Sequence, residues 1–196
     1  MSEIKVNKVS PATGTAIQLG DSGDTFTVPS GATIVNSGTA TGFGGGKVLQ
    51  CLQAVQTAAV TSTSSSLVDV TGLSQAITPS ATSSKILILV TLNSTAGDSG
   101  SVFQLMRDTT EIFKGDTGDS GETLGSLSVY GSAGSTHMMS HASICFLDSP
   151  SSTSSITFKL QWKAASGTNY LNKNRRDSGS SDTRTASSIT VMEIGA

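Results

Sequence analysis

The tetrapeptide Gly-Asp-Ser-Gly occurs three times, beginning at Gly20, Gly97 and Gly118. A serine held this way can act as a nucleophile if a histidine base and an oxyanion hole are brought to it. Here the residue after each copy is Asp24, Ser101 or Glu122 rather than a further glycine. The only histidines, His137 and His141, lack an Ala-Ala-His context. In a chain with 34 Ser, 26 Thr and 21 Gly, the repeats read as turns. No catalytic residue is assigned; the chain is expected not to be an enzyme and to use no cofactor.

Three other groupings could bind rather than react. Residues 115–123 carry glycine at every third position, the spacing the collagen axis requires, but three triplets without proline do not hold a triple helix. The segment reads as a polar loop. Its Asp116, Asp119 and Glu122 are oxygen donors suited to calcium, yet the spacing is not that of an EF-hand, and no metal site is assigned. His137 and His141 stand four apart without the glutamate of His-Glu-x-x-His. On a strand they would point the same way, in a structural role. Lys173, Arg175 and Arg176 form a loop-borne basic patch able to hold anionic sugars or phosphates through paired hydrogen bonds. Tyr170 could stack on a sugar. Trp162 falls on the buried side of its strand and is not nominated.

Composition narrows the classes. Charged residues make up 13 % of the 196, about half the usual share, and hydrophobic residues 36 %. The apolar residues sit in discrete runs, which favours a packed domain over disorder. A net charge of −2 argues against a nucleic-acid partner, which needs a basic surface. Acids gather between Asp98 and Glu122, and bases between Lys159 and Arg184. Cys51 and Cys145 lie in apolar runs and are expected to be buried free thiols. The first residues, Met1-Ser2-Glu3-Ile4-Lys5, contain no apolar signal core. The longest apolar run, Ile86 to Val90, is too short to span a bilayer, so no membrane insertion is expected. Synthesis in a cytoplasm follows, with any outside role reached through release in a particle.

The elements that must position these groups are strands. In 156–163, apolar Ile156, Phe158, Leu160 and Trp162 alternate with polar Thr157, Lys159, Gln161 and Lys163, the period of a sheet with one wet face. Residues 102–106 and 111–113 read as a hairpin. Residues 85–92 are near-continuously apolar, as in a central strand buried on both faces. Further strands are expected at 48–57, 67–70, 73–78, 124–130, 138–147, 168–171 and 188–194. No window carries a helical stripe. The expectation is an all-β sandwich over 47–196.

Residues 1–46 differ. Three short β-type runs, 15–19, 25–28 and 33–35, are separated by glycine turns and followed by the tract Gly42-Phe43-Gly44-Gly45-Gly46. Runs this short cannot bury enough apolar surface alone to offset the entropy of ordering them. Copies wrapped around one another could, with Phe26, Val28 and Ile34 as the axial core of a stalk.

Two stretches resemble the short tail-fibre, or receptor-binding, proteins of tailed bacteriophages of marine type. One is Ile4-Lys5-Val6-Asn7-Lys8-Val9-Ser10-Pro11 with Ile17-Gln18-Leu19-Gly20 and 26–32. The other is Phe146-Leu147-Asp148-Ser149-Pro150 with 156–162, Asn169-Tyr170-Leu171-Asn172 and 188–194. The resemblance implies a homotrimer with a short intertwined N-terminal β stalk and a β-sandwich head, jelly-roll or tumour-necrosis-factor-like. It implies a virion location after assembly in the host cytoplasm, attachment to other tail or capsid proteins through the N-terminus, and non-catalytic binding of a host surface glycan or protein. The family carries no catalytic motif to transfer. The residues expected at the receptor are Asp116, Asp119, Lys173, Arg175 and Arg176, from the two long polar loops. The rival reading is a capsid fibre or tail adaptor with no direct receptor role.

Overall fold

A computed structural model describes residues 9–11, 13–18, 21–25, 27–33, 35, 47–97, 99–117, 121–131 and 136–195. The chain divides into two units, Met1–Phe43 and Gly44–Ala196.

In the first unit two of the three expected glycine turns, at 20–23 and 29–31, are formed; the third, Asn36-Ser37-Gly38, lies outside the described residues. Asp24 N–H donates to the Asp21 carbonyl and Ala32 N–H to the Pro29 carbonyl, both at 3.1 Å. Gly23 and Gly31 take the positive φ these turns need. The described residues of the three β-type runs form no strand. A strand exists only by pairing, and the described residues of this unit form no ladder. Val28, one of the three expected core residues, is 38 % exposed. Phe26 and Ile34 lie outside the described residues.

Among its described residues the second unit contains eleven strands and no helix. The first six are β1 (Val48–Gln56), β2 (Val60–Ser62), β3 (Val68–Ile77), β4 (Lys85–Thr95), β5 (Gly100–Arg107) and β6 (Thr110–Ile112). Then follow β7 (Leu127–Tyr130), β8 (Ser140–Asp148), β9 (Ile156–Ala164), β10 (Asn169–Leu171) and β11 (Ser187–Ile194). Six form one sheet in which β4 pairs with β8 on one side and with β10 and β11 on the other. The other sheet is built on β3, β9 and β5, with β6 and β7 along the outer edge of β5. Every pairing is antiparallel. The arrangement is consistent with a β-sandwich.

The inward faces of both sheets feed a single apolar cluster. The even residues Ile86, Ile88, Val90 and Leu92 of β4 meet Phe158, Leu160 and Trp162 of β9 there, all at most 1 % exposed. Period-two patterning thus placed Trp162 correctly; its ring centroid lies 5.8 Å from that of Phe103. The runs expected at 67–70 and 73–78 are one strand, β3, with a register shift between Asp69 and Ser74. Gly72 sits in that shift at a φ of 82°, a conformation that other residues adopt only with strain.

One carboxylate is part of the inner packing. Glu193 on β11 is 1 % exposed and accepts from Ser80 N–H at 2.7 Å, Ser80 Oγ at 2.6 Å, Ser84 Oγ at 2.7 Å and Gln50 Nε2 at 2.6 Å. It fastens the connection before β4 to the sheet.

A second constraint joins the connections at the opposite end of β4. A Cβ added at Gly131 would overlap the carbonyl oxygens of Ala96 and Gly97, which are backbone and cannot swing away. Gly131→Ala is therefore expected to destabilise the head by about 2 kcal/mol. The check is a lower urea midpoint at unchanged slope.

Candidate functional site

Both long polar loops leave the molecule in the same way. The strands β10 and β11 lie along one edge of β4, as if they were a single row. Leu171 opposes Ser94 and Ser188 opposes Thr91. Opposite the two residues Leu92 and Asn93, segment 172–186 leaves the sheet and returns. The same happens on β5, where Leu127 opposes Phe103 and Ile112 opposes Leu105. There, 113–126 departs opposite Gln104 alone.

Each departure is closed by a buried amide side chain. Asn172, fully buried, donates its N–H to the Asn93 carbonyl at 2.9 Å. Its Nδ2 donates to the carbonyls of Gln56 (2.7 Å) and Ala58 (3.1 Å), where the row β1–β2 is broken. Its Oδ1 accepts from Ser187 Oγ at 2.7 Å, and its carbonyl accepts from Thr185 N–H at 3.1 Å. Ser187 Oγ in turn accepts from Asn93 N–H. On the other sheet Gln104 Nε2 donates to the carbonyls of Leu105 and Ile112 and to Ser126 Oγ. Ser126 N–H reaches the Phe103 carbonyl.

The interior of 172–186 is organised by two aspartates. Asp182, whose side chain is 5 % exposed, accepts from Ser178 N–H (2.7 Å), Asn174 Nδ2 (2.7 Å), Arg176 Nε (3.1 Å) and Gly179 N–H (3.0 Å). The Ser178 N–H and the Asn174 amide, aided by Arg176 and Gly179, hold this carboxyl well below the usual range against the effect of burial. Asp177 accepts two bonds of 2.7 Å from Arg184 and one of 3.2 Å from Lys173. Burial alone would raise its pKa; the bonds from Lys173 and Arg184 outweigh that and lower it. The loop is thus internally bonded.

The expected site residues fall as follows. Lys173 is paired with Asp177, and its ammonium also lies 5.3 Å from the Tyr170 ring centroid. Arg176 is paired with Asp182, and its N–H reaches the Thr136 carbonyl. Arg175 is half-buried between them in sequence. Asp116 stands in 113–126, exposed, with Oδ1 accepting from Thr117 N–H at 2.8 Å. Asp119 lies outside the described residues. The acidic and basic loops rise from different sheets. Among the described residues, no three His, Cys, Asp or Glu side chains gather in a metal-binding geometry.

The histidines do not share one strand. His141 is in β8 and bonds Asn93 Oδ1 at 3.2 Å, whereas His137 precedes β8 with Nδ1 3.6 Å from Asp182.

The outward face of the six-stranded sheet departs most from expectation. Leu87 and Leu89 of β4, expected to be buried, are only half-buried there. The register sets Leu87 in line with Leu147 and Met192, and through Met192 with Cys51; Leu89 lines up with Cys145. Both cysteines are exposed free thiols. Their apolar neighbours in sequence suggested burial, but alternation turns the Cys145 thiol outward while Ile144 turns in, and beside Cys51 even Leu52 stays 37 % exposed.

Sequence reasoning missed Asn172, Asp182 and Glu193. The alternation of Asp with Lys and Arg through 173–184 was the available signal of internal pairing. No family model matches the chain, and no curated protein matches it.

Proposed function

We propose that this chain is a tail fibre of a tailed-phage virion that attaches the particle to the host surface without catalysis. In this reading the N-terminal unit joins other tail or capsid proteins. Three copies form an intertwined β stalk with Phe26, Val28 and Ile34 at the axis, topped by jelly-roll or tumour-necrosis-factor-like heads. A Val28 left partly exposed in one copy suits a residue that meets its own copies.

The observation that carries the proposal is the build of 172–186. It is a polar segment with four cations (Lys173, Arg175, Arg176, Arg184) against two aspartates, ordered before any ligand arrives. Preordering removes much of the entropy cost of binding. The surplus of positive charge fits an anionic host-surface glycan, with Asp116 and Asp119 offering acceptors on the second loop. Three equal sites on one particle then raise weak single contacts to firm attachment through avidity.

The test uses labelled full-length protein on candidate host cells, with immunogold labelling of virions. Arg175→Glu is expected to reduce cell binding at least tenfold while leaving the melting temperature within a few degrees. Binding that is unchanged in Arg175→Glu and in Asp116→Lys would remove the loops from the proposal. Gold label on both junctions of a buried virion element, with no cell binding, would favour the adaptor reading.

A further inference from the structure

We infer that His137 is a ligand-binding residue of the basic loop, set beside Arg176 by one carboxylate, and that it tightens the hold on an anion as pH falls. The inference rests on the reading of 172–186 as an anion-binding loop, and it concerns a residue outside that loop.

The segment before β8 is fastened to 172–186 along its length. Arg176 N–H donates to the Thr136 carbonyl at 3.2 Å. Thr95 Oγ1, buried on β4, lies 2.8 Å from the Met138 carbonyl oxygen and 3.1 Å from that of Lys173, and so ties both segments to one point. Thr185 Oγ1 reaches Met139 Sδ at 3.4 Å. His137 is thereby carried to Asp182, with Nδ1 3.6 Å from Oδ1, while Oδ2 accepts from Arg176 Nε at 3.1 Å. The two basic side chains share one carboxylate. Both reach solvent, His137 at 54 % and Arg176 at 38 % exposure, whereas the carboxylate that orients them is covered.

This pairing suits an oxyanion. A guanidinium held at Nε presents its two Nη nitrogens as a fork that fits a sulfate, phosphate or carboxylate group. The carboxylate beside Nδ1 of His137 favours a proton on that nitrogen and leaves Nε2 to meet a ligand. In the neutral ring Nε2 is an acceptor and repels an anionic oxygen. In the charged ring it donates a charge-assisted hydrogen bond to the same oxygen.

Histidine makes that change between pH 5 and 8. Among the described residues, the charged and titratable groups on the elements that meet 136–139 are the four cations and two aspartates of 172–186, and His141 on β8. The end of β4, at Asn93, Ser94 and Thr95, carries none. Both aspartates are lowered from the usual carboxylate value and keep their charge over this range, as the cations do. A histidine is therefore the group whose titration alters this surface. His141 contacts Asn93, an uncharged residue, whereas His137 stands at the ion pair itself.

The experiment measures binding of the full-length protein to immobilised dextran sulfate, with uncharged dextran as the blank, at about pH 7.5 and 5.5. Binding is expected to be roughly fivefold tighter at the lower pH. His137 and His141 are the only histidines of the chain, so their variants apportion the effect. His137→Gln should bind equally at both pH values, and His141→Gln should keep the wild-type ratio. His137→Lys, which fixes the charge, should bind at pH 7.5 as tightly as the wild type does at pH 5.5. Both positions are exposed, and near-UV circular dichroism checks that the variants keep their packing. Wild-type binding that is equal at the two pH values, or a ratio that survives in His137→Gln, would overturn the role of His137 and leave the loop as an anion site. Wild-type protein that binds neither dextran sulfate nor host cells at either pH would overturn the reading of the loop as well.

Discussion

Asn172→Ala is expected to lower the stability of the head by about 3–4 kcal/mol, as a loss in urea midpoint at unchanged slope. The side chain removed closes two gaps at once. Its Nδ2 reaches the Gln56 and Ala58 carbonyls, and its Oδ1 takes the Ser187 hydroxyl that also caps Asn93 N–H. Alanine leaves these groups buried or half-buried without that partner. It must also hold the φ of 60° that asparagine tolerates better than most residues. Asn172→Gly separates the two terms: it relieves the backbone but restores no hydrogen bond. It should recover about 1 kcal/mol of the loss. Asn172→Asp keeps the acceptor for Ser187 but sets a second oxygen against two carbonyls, and is expected to be no better than alanine at neutral pH. Hydrogen exchange would locate the effect: amides of 173–186 should lose protection in all three variants.

The second large effect is at Glu193. Burial alone would raise its pKa, but bonds from Ser80, Gln50 and Ser84 outweigh it and lower the value from 4.5 to about 2. A carboxyl whose pKa is depressed in the folded state contributes stability above its unfolded pKa and loses it as protons bind. The contribution should be complete above pH 4.5, decline below it, and vanish as pH falls through about 2. Glu193→Ala is expected to cost on the order of 3 kcal/mol near pH 7, since the donors of Ser80, Ser84 and Gln50 lose a charged acceptor. Glu193→Gln should cost less at pH 7 and flatten this part of the acid profile. Its amide nitrogen faces Gln50 Nε2, and Gln50 cannot flip without losing its 2.8 Å bond to the Thr78 carbonyl. Urea titrations of both proteins between pH 7 and 3 would show curves converging toward acid. Parallel curves would reject the assignment.

What the sequence revealed depended on how local the determining physics was. Alternation in 156–163 and 85–92 is local, so the strands and their inward residues were readable, Trp162 among them. Whether the second face of a strand is covered is a property of distant chain. Leu87 and Leu89 therefore looked like residues of a strand buried on both sides, although on the outward face they are only half-buried. The two cysteines failed for the same reason: an apolar run fixes neither parity nor cover. The basic loop was visible as composition. Its internal pairing was not, because Asp182 gathers four donors only once Asn174, Arg176, Ser178 and Gly179 have turned around it. The bond from Asn172 to Gln56 spans 116 positions, a separation at which no periodicity speaks.

The interrupted rows carry one more consequence. Each long loop begins and ends on the same rail, so its two ends are fixed by pairing to β4 or β5 whatever lies between them. Doubling the length of such a segment adds only about 0.6 kcal/mol of closure entropy and leaves the register untouched. Asn172 with Ser187, and Gln104 with Ser126, act as permanent sockets. The segments they hold are interchangeable parts, free to diverge in length and charge while the frame that carries them stays the same.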